Sequence, residues 1–550
     1  AIKIKPDFAE AYTNRGIALK LLNKLEEALE CWDKAIEINS KDFIAYNQRG
    51  AALVELNKPE EAIKSWNNVI KIKPDFADAY NNLGNILKEL KRYTESLKKY
   101  NQAIKIKPDF AKAYNNRANV LRSLNQLESS LNSCNDAIKI KPDFADAYNN
   151  RGIVLAELKQ LDAALESYKN AIKIKPDFAD AYNNRGIVLT ELKQLDAALE
   201  SYENAFKINP DADFLLGRLI TTKKNLCNWS LFHENLKRLK KNIEKGKKSS
   251  VPFNLLSNYD LPDLQKKFTE LFVKEKYTKE NIIEPIINKK SNNKIRLGYY
   301  SADFCNHPVS NLIVNLFETH DKSKFELIAF SLSKKKNDQM ENRISTAFDK
   351  FIDVSLKSEE EISTLSRELK INIAIDLMGF TKNNKFKIFI NRCAPIQISY
   401  LGYSGTTGSN SIDYIIADKT LIPEQNQKNF SEKIIYLPNS FMVNDPTKKI
   451  SDKVVTREEF GLPKNSFVFC CFNKNYKINP NIFEIWMKLL KKINNSVLWL
   501  SEENLTSVKN LKLEALNRGV DEKRLIFAKR VPSLSVHFAR HRLANLFIDT

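Results

Sequence analysis

Three short stretches hold residues whose types and spacing suit chemistry. The first runs from Lys294 to Pro308, where alternating apolar residues (Ile295, Leu297, Tyr299) give way to the polar turn Asp303-Phe-Cys-Asn-His-Pro308. A new apolar run at helical spacing follows (Val309, Leu312, Ile313, Leu316). A strand, a turn bearing reactive side chains and a helix is how nucleotide-using α/β domains present chemistry at the carboxyl ends of their strands. His307 is one of five histidines in 550 residues. Its imidazole could do acid–base work or simply cap the next helix, and pattern alone leaves both open. The second stretch is Phe469-Cys-Cys-Phe-Asn-Lys-Asn-Tyr-Lys477, an apolar strand emptying into a polar loop, with Ile478-Asn-Pro480 opening a helix. A lysine there is placed to meet a diphosphate at the helix N-terminus. It would also offset the charge that builds on a departing nucleoside diphosphate. In a chain this rich in lysine, an ordinary solvated side chain is the competing reading for Lys474 and Lys477 alike. The third stretch joins Ala394-Pro-Ile-Gln397 to Leu401-Gly-Tyr-Ser-Gly-Thr-Thr-Gly408. Three of the chain's 14 glycines within seven residues mark either a tight structural turn or a backbone lying against a ligand.

The elements that must position these stretches are strands and helices in alternation. Strands are predicted at 295–300, 325–332, 371–377, 396–400, 412–417 and 433–437, and Ser358-x-x-Glu361 is a capping box opening a helix between two of them. That order implies a mainly parallel, doubly wound sheet. A polar stretch follows Pro438 as far as about Lys453. A second alternation then begins, with strands at 467–472, 496–500, 524–528 and 545–549 and helices at 481–493 and 534–543. Two Rossmann-like halves are expected.

Ahead of them lies a repeat. Tyr12, Tyr46, Tyr80, Tyr114, Tyr148 and Tyr182 recur every 34 residues. Four residues after each stands Gly16, Gly50, Gly84, Ala118, Gly152 or Gly186; sixteen after, Ala28, Ala62, Ser96, Ser130, Ala164 or Ala198; twenty after, Trp32, Trp66, Tyr100, Cys134, Tyr168 or Tyr202. This is the tetratricopeptide signature, two antiparallel helices per repeat stacked into a superhelix with an extended binding surface. Six repeats run from Ala9 to Ala212, and residues 1–8 read as the tail of an earlier one. Two residues after each tyrosine comes Asn14, Gln48, Asn82, Asn116, Asn150 or Asn184. Asparagine is a middling helix former, so a column of it needs a reason. A carboxamide both donates and accepts, and a ladder of them can hold an extended peptide by its backbone.

Composition narrows the classes. Apolar content of 43% and charged content of 28% are ordinary for a globular chain. The formal charge of +20 invites a nucleic-acid reading, but lysines are spread along both halves and no arginine-rich run occurs. A basic field of that kind suits an anionic sugar nucleotide or acidic protein segments better. The seven cysteines (31, 134, 227, 305, 393, 470 and 471) lack CxxC pairing and metal spacing, which fits a reducing, cytoplasmic setting. No run of 18 apolar residues suggests a membrane span.

The Asp303–Pro308 segment, the Ala-Pro-Ile-Gln and Leu-Gly-Tyr-x-Gly-Thr-x-Gly runs, Asn473-x-x-Tyr-Lys477 and the pair His537-x-x-Arg540 together resemble the catalytic region of protein O-linked N-acetylglucosamine transferases and their SPINDLY-type relatives. Leu226-Cys-Asn-Trp229 is similar to the segment that follows the repeats in that family. The resemblance implies an α-superhelix of tetratricopeptide repeats followed by an α/β region of GT-B type with two Rossmann-like halves, the second incomplete. The implied divisions are 1–212 for the array, 213–290 for a helical adaptor without chemistry of its own, 291–445 for the first half and 446–550 for the nucleotide-binding half. It implies an inverting, metal-independent transfer of a sugar from a nucleotide to Ser or Thr hydroxyls of proteins gripped by the repeats, without a cofactor. UDP-N-acetylglucosamine is the first candidate donor, and GDP-fucose or a decayed, non-enzymatic scaffold are the alternatives. Lys477 would contact the phosphates and His307 would orient or help deprotonate the acceptor. Lys474, His537 (against the base), Arg540, Leu401 and Gly402 would bind the donor. Asn14, Asn82, Asn116, Asn150 and Asn184 would bind the acceptor chain. Asn372 and Phe380 depart from the family's pattern, standing where relatives carry histidine.

Overall fold

The computed structural model describes residues 1–259, 261–277 and 294–550, so the expected junction at 290/291 lies outside the described residues. The chain forms two compact units, Ala1–Asn209 and Pro210–Thr550.

In the first unit each repeat folds as two helices, from Ala9–Leu21 with Leu25–Ile38 through to Ala179–Glu191 with Leu195–Ile208. The columns explain the pairing. A Cβ built on Gly16 would lie 2.5 Å from Nε1 of Trp32, and one on Gly84 or Gly152 would lie 2.5 Å from Cε1 of Tyr100 or Tyr168. The glycine is required by the ring crossing it. The fourth repeat supplies the internal control. It carries Ala118 in the glycine column, and there the ring is replaced by Cys134, both residues being buried. Methyl and ring exclude each other in a space of fixed volume. The small-residue column is fully buried, and where it is serine the hydroxyl is satisfied: Ser96 donates to the Gly84 carbonyl at 2.6 Å and Ser130 to the Ala118 carbonyl at 2.7 Å.

The second unit holds two sheets in which every described strand pairing is parallel. The first contains β1 (Ile295–Ser301), β2 (Phe325–Ser331), β3 (Lys350–Asp353), β4 (Ile373–Asp376), β5 (Ile396–Ser399), β6 (Tyr414–Ala417) and β7 (Lys433–Tyr436), in the order β3-β2-β1-β4-β5-β6-β7. The second contains β8 (Phe467–Cys471), β9 (Ser496–Ser501), β10 (Leu525–Ala528) and β11 (Leu546–Phe547), in the order β10-β9-β8-β11. Alternation along β1 sends Tyr299 and Tyr300 to opposite faces. Tyr300 joins Phe330, Phe386 and Phe389, while Tyr299 joins Phe317, Leu327 and Ile313. The Ser358–Glu361 capping box is present, opening the helix Glu359–Glu368.

Several elements escape the sequence pattern, among them the helix Gln339–Ala347. Strand β3 has just Phe351 and Ile352 between Lys350 and Asp353 at the sheet edge, too few residues for alternation to register. The helix Leu505–Asn517 buries Leu511 and Ala515 but exposes Leu505, Leu513 and Leu516, so its apolar residues ring the axis and mark no single face. The segment expected as an inert adaptor is part of both cores. Trp229 packs edge-on against Phe483 of the second half at 5.2 Å, and Phe272 against Phe380 of the first at 5.5 Å. Phe380, which replaces a family histidine, is thereby a core residue.

The glycine–ring exclusion yields a stability prediction. Gly152→Ala should destabilise the array by about 1–3 kcal/mol through overpacking against Tyr168. Adding Tyr168→Cys, the arrangement found naturally at Ala118 and Cys134, should recover part of that loss. Thermal unfolding of the two single variants and the double variant measures the coupling; additive losses would show that the ring does not set the glycine.

Candidate active site

A doubly wound sheet opens a crevice at its carboxyl edge where the strand order reverses. In the first sheet that point lies between β1 and β4, and in the second between β8 and β11. Of the predicted residues, His307 lies at the first, Lys474, Lys477, His537 and Arg540 at the second, Leu401 and Gly402 after the neighbouring strand β5, and the asparagines in the repeat unit.

After β1 the chain turns through Asp303 to His307, which caps the helix Pro308–Thr319: the Val309 N–H donates to Nδ1 at 3.4 Å. The same Nδ1 lies 3.5 Å from a carboxylate oxygen of Asp303, whose pKa is raised by burial and drawn back by the imidazole. The capping reading is therefore correct for the backbone. It leaves Nε2 without a partner among the described residues, on a side chain 41% exposed. The turn is stitched to the loop after β2, where Asn306 N–H donates to Asp338 at 2.8 Å and Ser333 donates to the Ala302 carbonyl at 2.6 Å. It is tied to the turn after β4 by Ala302 N–H, which donates to the Met378 sulfur at 3.3 Å. Asp376 closes β4, fully buried, accepting the N–H groups of Met378 and Gly379 at 2.9 and 3.0 Å; burial pushes its pKa up to about 6. Neither Asp303 nor Asp376 was singled out as a site residue from sequence. Each is an acid at the carboxyl end of a strand followed by a turn, which is the signal that could have found it.

The glycine-rich run answers its own question. A Cβ on Gly402 would sit 1.8 Å from the Leu377 carbonyl oxygen, and one on Gly408 would sit 2.6 Å from the Glu270 nitrogen. These glycines are required by neighbouring backbone, so the turn after β5 is structural at Gly402. Leu401 is different. It holds a left-handed backbone (φ +65°), which a branched side chain adopts at a cost, immediately past β5. The run is anchored by buried Glu432, which accepts from Thr406 Oγ1 at 2.8 Å and the Thr407 N–H at 2.6 Å. Asn372 accepts the Arg296 N–H at 2.9 Å and serves the start of the sheet rather than its carboxyl edge.

At the second switch point the loop after β8 is fixed by Asn475, buried and donating to Ser507 at 2.7 Å. Asn479 caps the helix Pro480–Lys492. Lys474 pairs with Glu503 at 2.8 Å, so its charge is already partnered. Lys477 is exposed and, among the described residues, no carboxylate lies within ion-pair distance of it. His537 and Arg540 come to the same loop from the helix Leu534–Arg540. The His537 ring lies 5.7 Å from Phe472, and the Arg540 guanidinium stacks on Phe472 at 4.5 Å. Arg540 is 3% exposed and donates to the Lys529 carbonyl at 2.8 Å and to Nδ1 of His537 at 2.6 Å. Expected from sequence to bind the donor, it is placed to act through His537. Burial first, and then the guanidinium charge, lower the His537 pKa to about 4. The imidazole is neutral, with Nδ1 as acceptor and its proton on Nε2.

In the array, Asn116, Asn150 and Asn184 each donate Nδ2 to an asparagine 35 residues earlier, at 3.1, 2.8 and 3.0 Å. Asn82 occupies the equivalent half-buried position, and Asn14, in the first repeat, is exposed.

Comparison with known proteins places these features in a family. The model of glycosyl transferase family 41 matches residues 226–454 and 446–550, and tetratricopeptide models match segments from 9 to 212. The probable UDP-N-acetylglucosamine–peptide N-acetylglucosaminyltransferase SEC of Arabidopsis thaliana is 36% identical over 271 residues, 48% of this chain and 28% of that protein. The corresponding transferase of Caenorhabditis elegans is 24% identical over 373 residues, 47% of this chain and 32% of that protein. The chain thus matches about a third of the length of these relatives. A solved structure of a mutant O-GlcNAc transferase from Thermobaculum terrenum shares the fold, with a TM-score of 0.54 at 21% identity, over 80% of this chain and 78% of that one. With the family match running through the adaptor and both sheets, this chain belongs to glycosyl transferase family 41 and carries a tetratricopeptide array ahead of its transferase region.

Proposed function

We propose that the protein transfers a sugar from a nucleotide to Ser or Thr hydroxyls of other proteins, with UDP-N-acetylglucosamine as donor. The observation that carries this is the loop after β8. There Lys477, exposed and facing only the more distant charge of Asp549 among the described residues, and the neutral His537 stand at a sheet switch point in a family 41 chain. On this reading the GT-B-like pair of sheets divides the work. The second holds the nucleotide, with the flat, uncharged His537 ring against the base and Lys477 at the diphosphate. The first offers His307 to the acceptor hydroxyl, with Asp303 to steady a developing imidazolium.

The chemistry is a displacement at the anomeric carbon. The hydroxyl oxygen attacks from the face opposite the diphosphate, the sugar–phosphate bond breaks, and configuration inverts. The acceptor proton is lost to a base, for which Nε2 of His307 is the candidate in the tautomer that carries its proton on Nδ1, toward Asp303, in place of the Val309 contact, and the electron pair leaves on the nucleoside diphosphate. Lys477 supplies the positive charge a metal would otherwise provide, the amides of Asn481 and Ile482 being taken by the Asn479 cap. Because the negative charge on the diphosphate grows as the bond breaks, the lysine favours the transition state over the bound donor. The tetratricopeptide array would present protein acceptors through Asn82, Asn116, Asn150 and Asn184.

Replacing Lys477 tests the reading most directly. Lys477→Met keeps most of the side-chain bulk, so the fold should persist while single-turnover transfer falls by about two to three orders of magnitude. Lys477→Arg should not recover the parent rate, since a planar fork does not replace a compact ammonium. Transfer at the parent rate by Lys477→Met would remove this loop from the donor phosphates.

His537 gives a pH test. With a pKa of about 4 it stays neutral above roughly pH 5, so donor affinity should be flat from about pH 5.5 to 8. The sign for stability follows from the same shift. Between the free value near 6.5 and about 4 the unfolded chain takes up the proton first, so stability falls as pH drops across that window. A donor-binding midpoint near pH 6.5 that disappears in His537→Gln would show a solvated, titrating ring instead.

A further inference from the structure

The asparagine column is backed by a second column that the sequence pattern does not single out. One residue before each ladder position stands Thr13, Asn47, Asn81, Asn115, Asn149 or Asn183. Three of these, Asn81, Asn115 and Asn149, are 7%, 6% and 7% exposed, so they offer little to a partner. Their Oδ1 atoms accept Nδ2 of the ladder residue in the following repeat: Asn116 onto Asn81, Asn150 onto Asn115 and Asn184 onto Asn149. The contact recurs three times at one spacing of 35 residues, so it is a property of the stack.

The earlier repeats are built differently, for a visible reason. In the second repeat the ring column is Trp66, whose indole N–H is donated to Oδ1 of Asn47 at 3.1 Å. In the first, Trp32 donates to the Thr13 carbonyl at 3.2 Å, and the Thr13 hydroxyl is donated to Asp42 at 2.7 Å. In the third, the ring is Tyr100, whose hydroxyl goes to Asn85 at 2.7 Å and not to Asn81. With Tyr100, Cys134 or Tyr168 in place of a tryptophan, no indole N–H claims the inner asparagine, whose carbonyl serves the next repeat.

We infer that Asn81, Asn115 and Asn149 are positioning residues that fix the rotamer of the ladder at Asn116, Asn150 and Asn184, so that this part of the array is the grip for an extended acceptor chain. A carboxamide that is free to turn offers donor and acceptor in either order. Held through one N–H, it presents its Oδ1 and its second N–H in a set order, matching the alternation of N–H and C=O along an extended polypeptide. Holding it beforehand also lowers the entropy lost when the chain docks. The inference rests on the protein-binding reading of the ladder.

The experiment compares paired variants of the whole chain by anisotropy with fluorescein-labelled, unstructured Ser/Thr-rich peptides. Asn115→Ala with Asn149→Ala should weaken binding about tenfold, the equivalent of one to two hydrogen bonds, although neither residue is exposed to the peptide. Asn115→Asp with Asn149→Asp keeps an acceptor for Nδ2 and should bind within about threefold of the parent, since one oxygen still receives each ladder N–H. Parent-like affinity in the alanine pair overturns the positioning role. Equal loss in the alanine and aspartate pairs, together with lowered helix stability, also overturns it by showing a packing role. Asn116→Ala with Asn150→Ala separates the underlying reading: if that pair binds as the parent does, or if the parent binds none of the peptides, the ladder itself is not a grip.

Discussion

The arrangement depends on a topological constraint. When strands are added to a parallel sheet first on one side and then on the other, the two central strands send their connections to opposite faces. The space between those connections cannot be filled by either one. In the first sheet the two connections are the turns carrying His307 and Asp376; in the second they are the loop carrying Lys477 and the end of β11. The chemistry-bearing residues lie far apart in sequence and have little else in common. Each pair flanks a point where the winding of its sheet reverses. Strands β1, β4 and β8 hold those points still through largely buried residues.

In the second unit the charged groups are sorted by whether they are already paired. Lys474 is matched to Glu503 and Arg343 to Glu318 and Asp445, the last drawn down to about 2 by that guanidinium. Asp376 and Glu432 are turned inward onto backbone and hydroxyl donors and hold loops. Arg540 spends its charge on the face of Phe472 and on His537. Lys477 and Nε2 of His307 are left facing solvent. A site that binds a diphosphate and takes a proton needs this separation, because a pre-paired lysine must first give up its own partner before it can meet a ligand.

Legibility in the sequence followed the range of the physics. The repeats were read residue by residue because each column answers to a contact within one helix pair, and the Gly152–Tyr168 exclusion is local. The strands flanking the switch points were legible as apolar runs. What failed was whatever depends on a neighbour distant in sequence. Gly402 looked like a ligand-facing glycine, but its missing methyl makes room for Leu377, a contact between the turns after two adjacent strands. Arg540 looked like a ligand contact, and its burial beneath Phe472 and Trp499 could not be seen from a His-x-x-Arg spacing. The part the adaptor takes in both cores was not legible, because its aromatic residues Trp229 and Phe272 find their partners hundreds of residues and more than a hundred residues away respectively. The edge strand β3 and the helix after β9 lacked the periodicity that reading requires.

On the proposed reading, the repeats and the transferase region meet opposite recognition problems with the same economy of means. A sugar nucleotide is one molecule of fixed shape, so its proposed site is made of unlike groups, each used once and each held by a different contact. Protein segments that share little but their backbone call for the reverse: one group, used repeatedly at a fixed spacing. The array's 34-residue period supplies that spacing, and asparagine is suited to it because a carboxamide carries both hydrogen-bonding polarities without charge. Lysine or glutamate in the same column would have introduced sequence preference through like-charge repulsion. Placing a buried asparagine behind the ladder at Asn116, Asn150 and Asn184 extends the logic. The polar surface offered to a partner is then itself held by hydrogen bonds, and a flexible side chain behaves as part of the rigid scaffold.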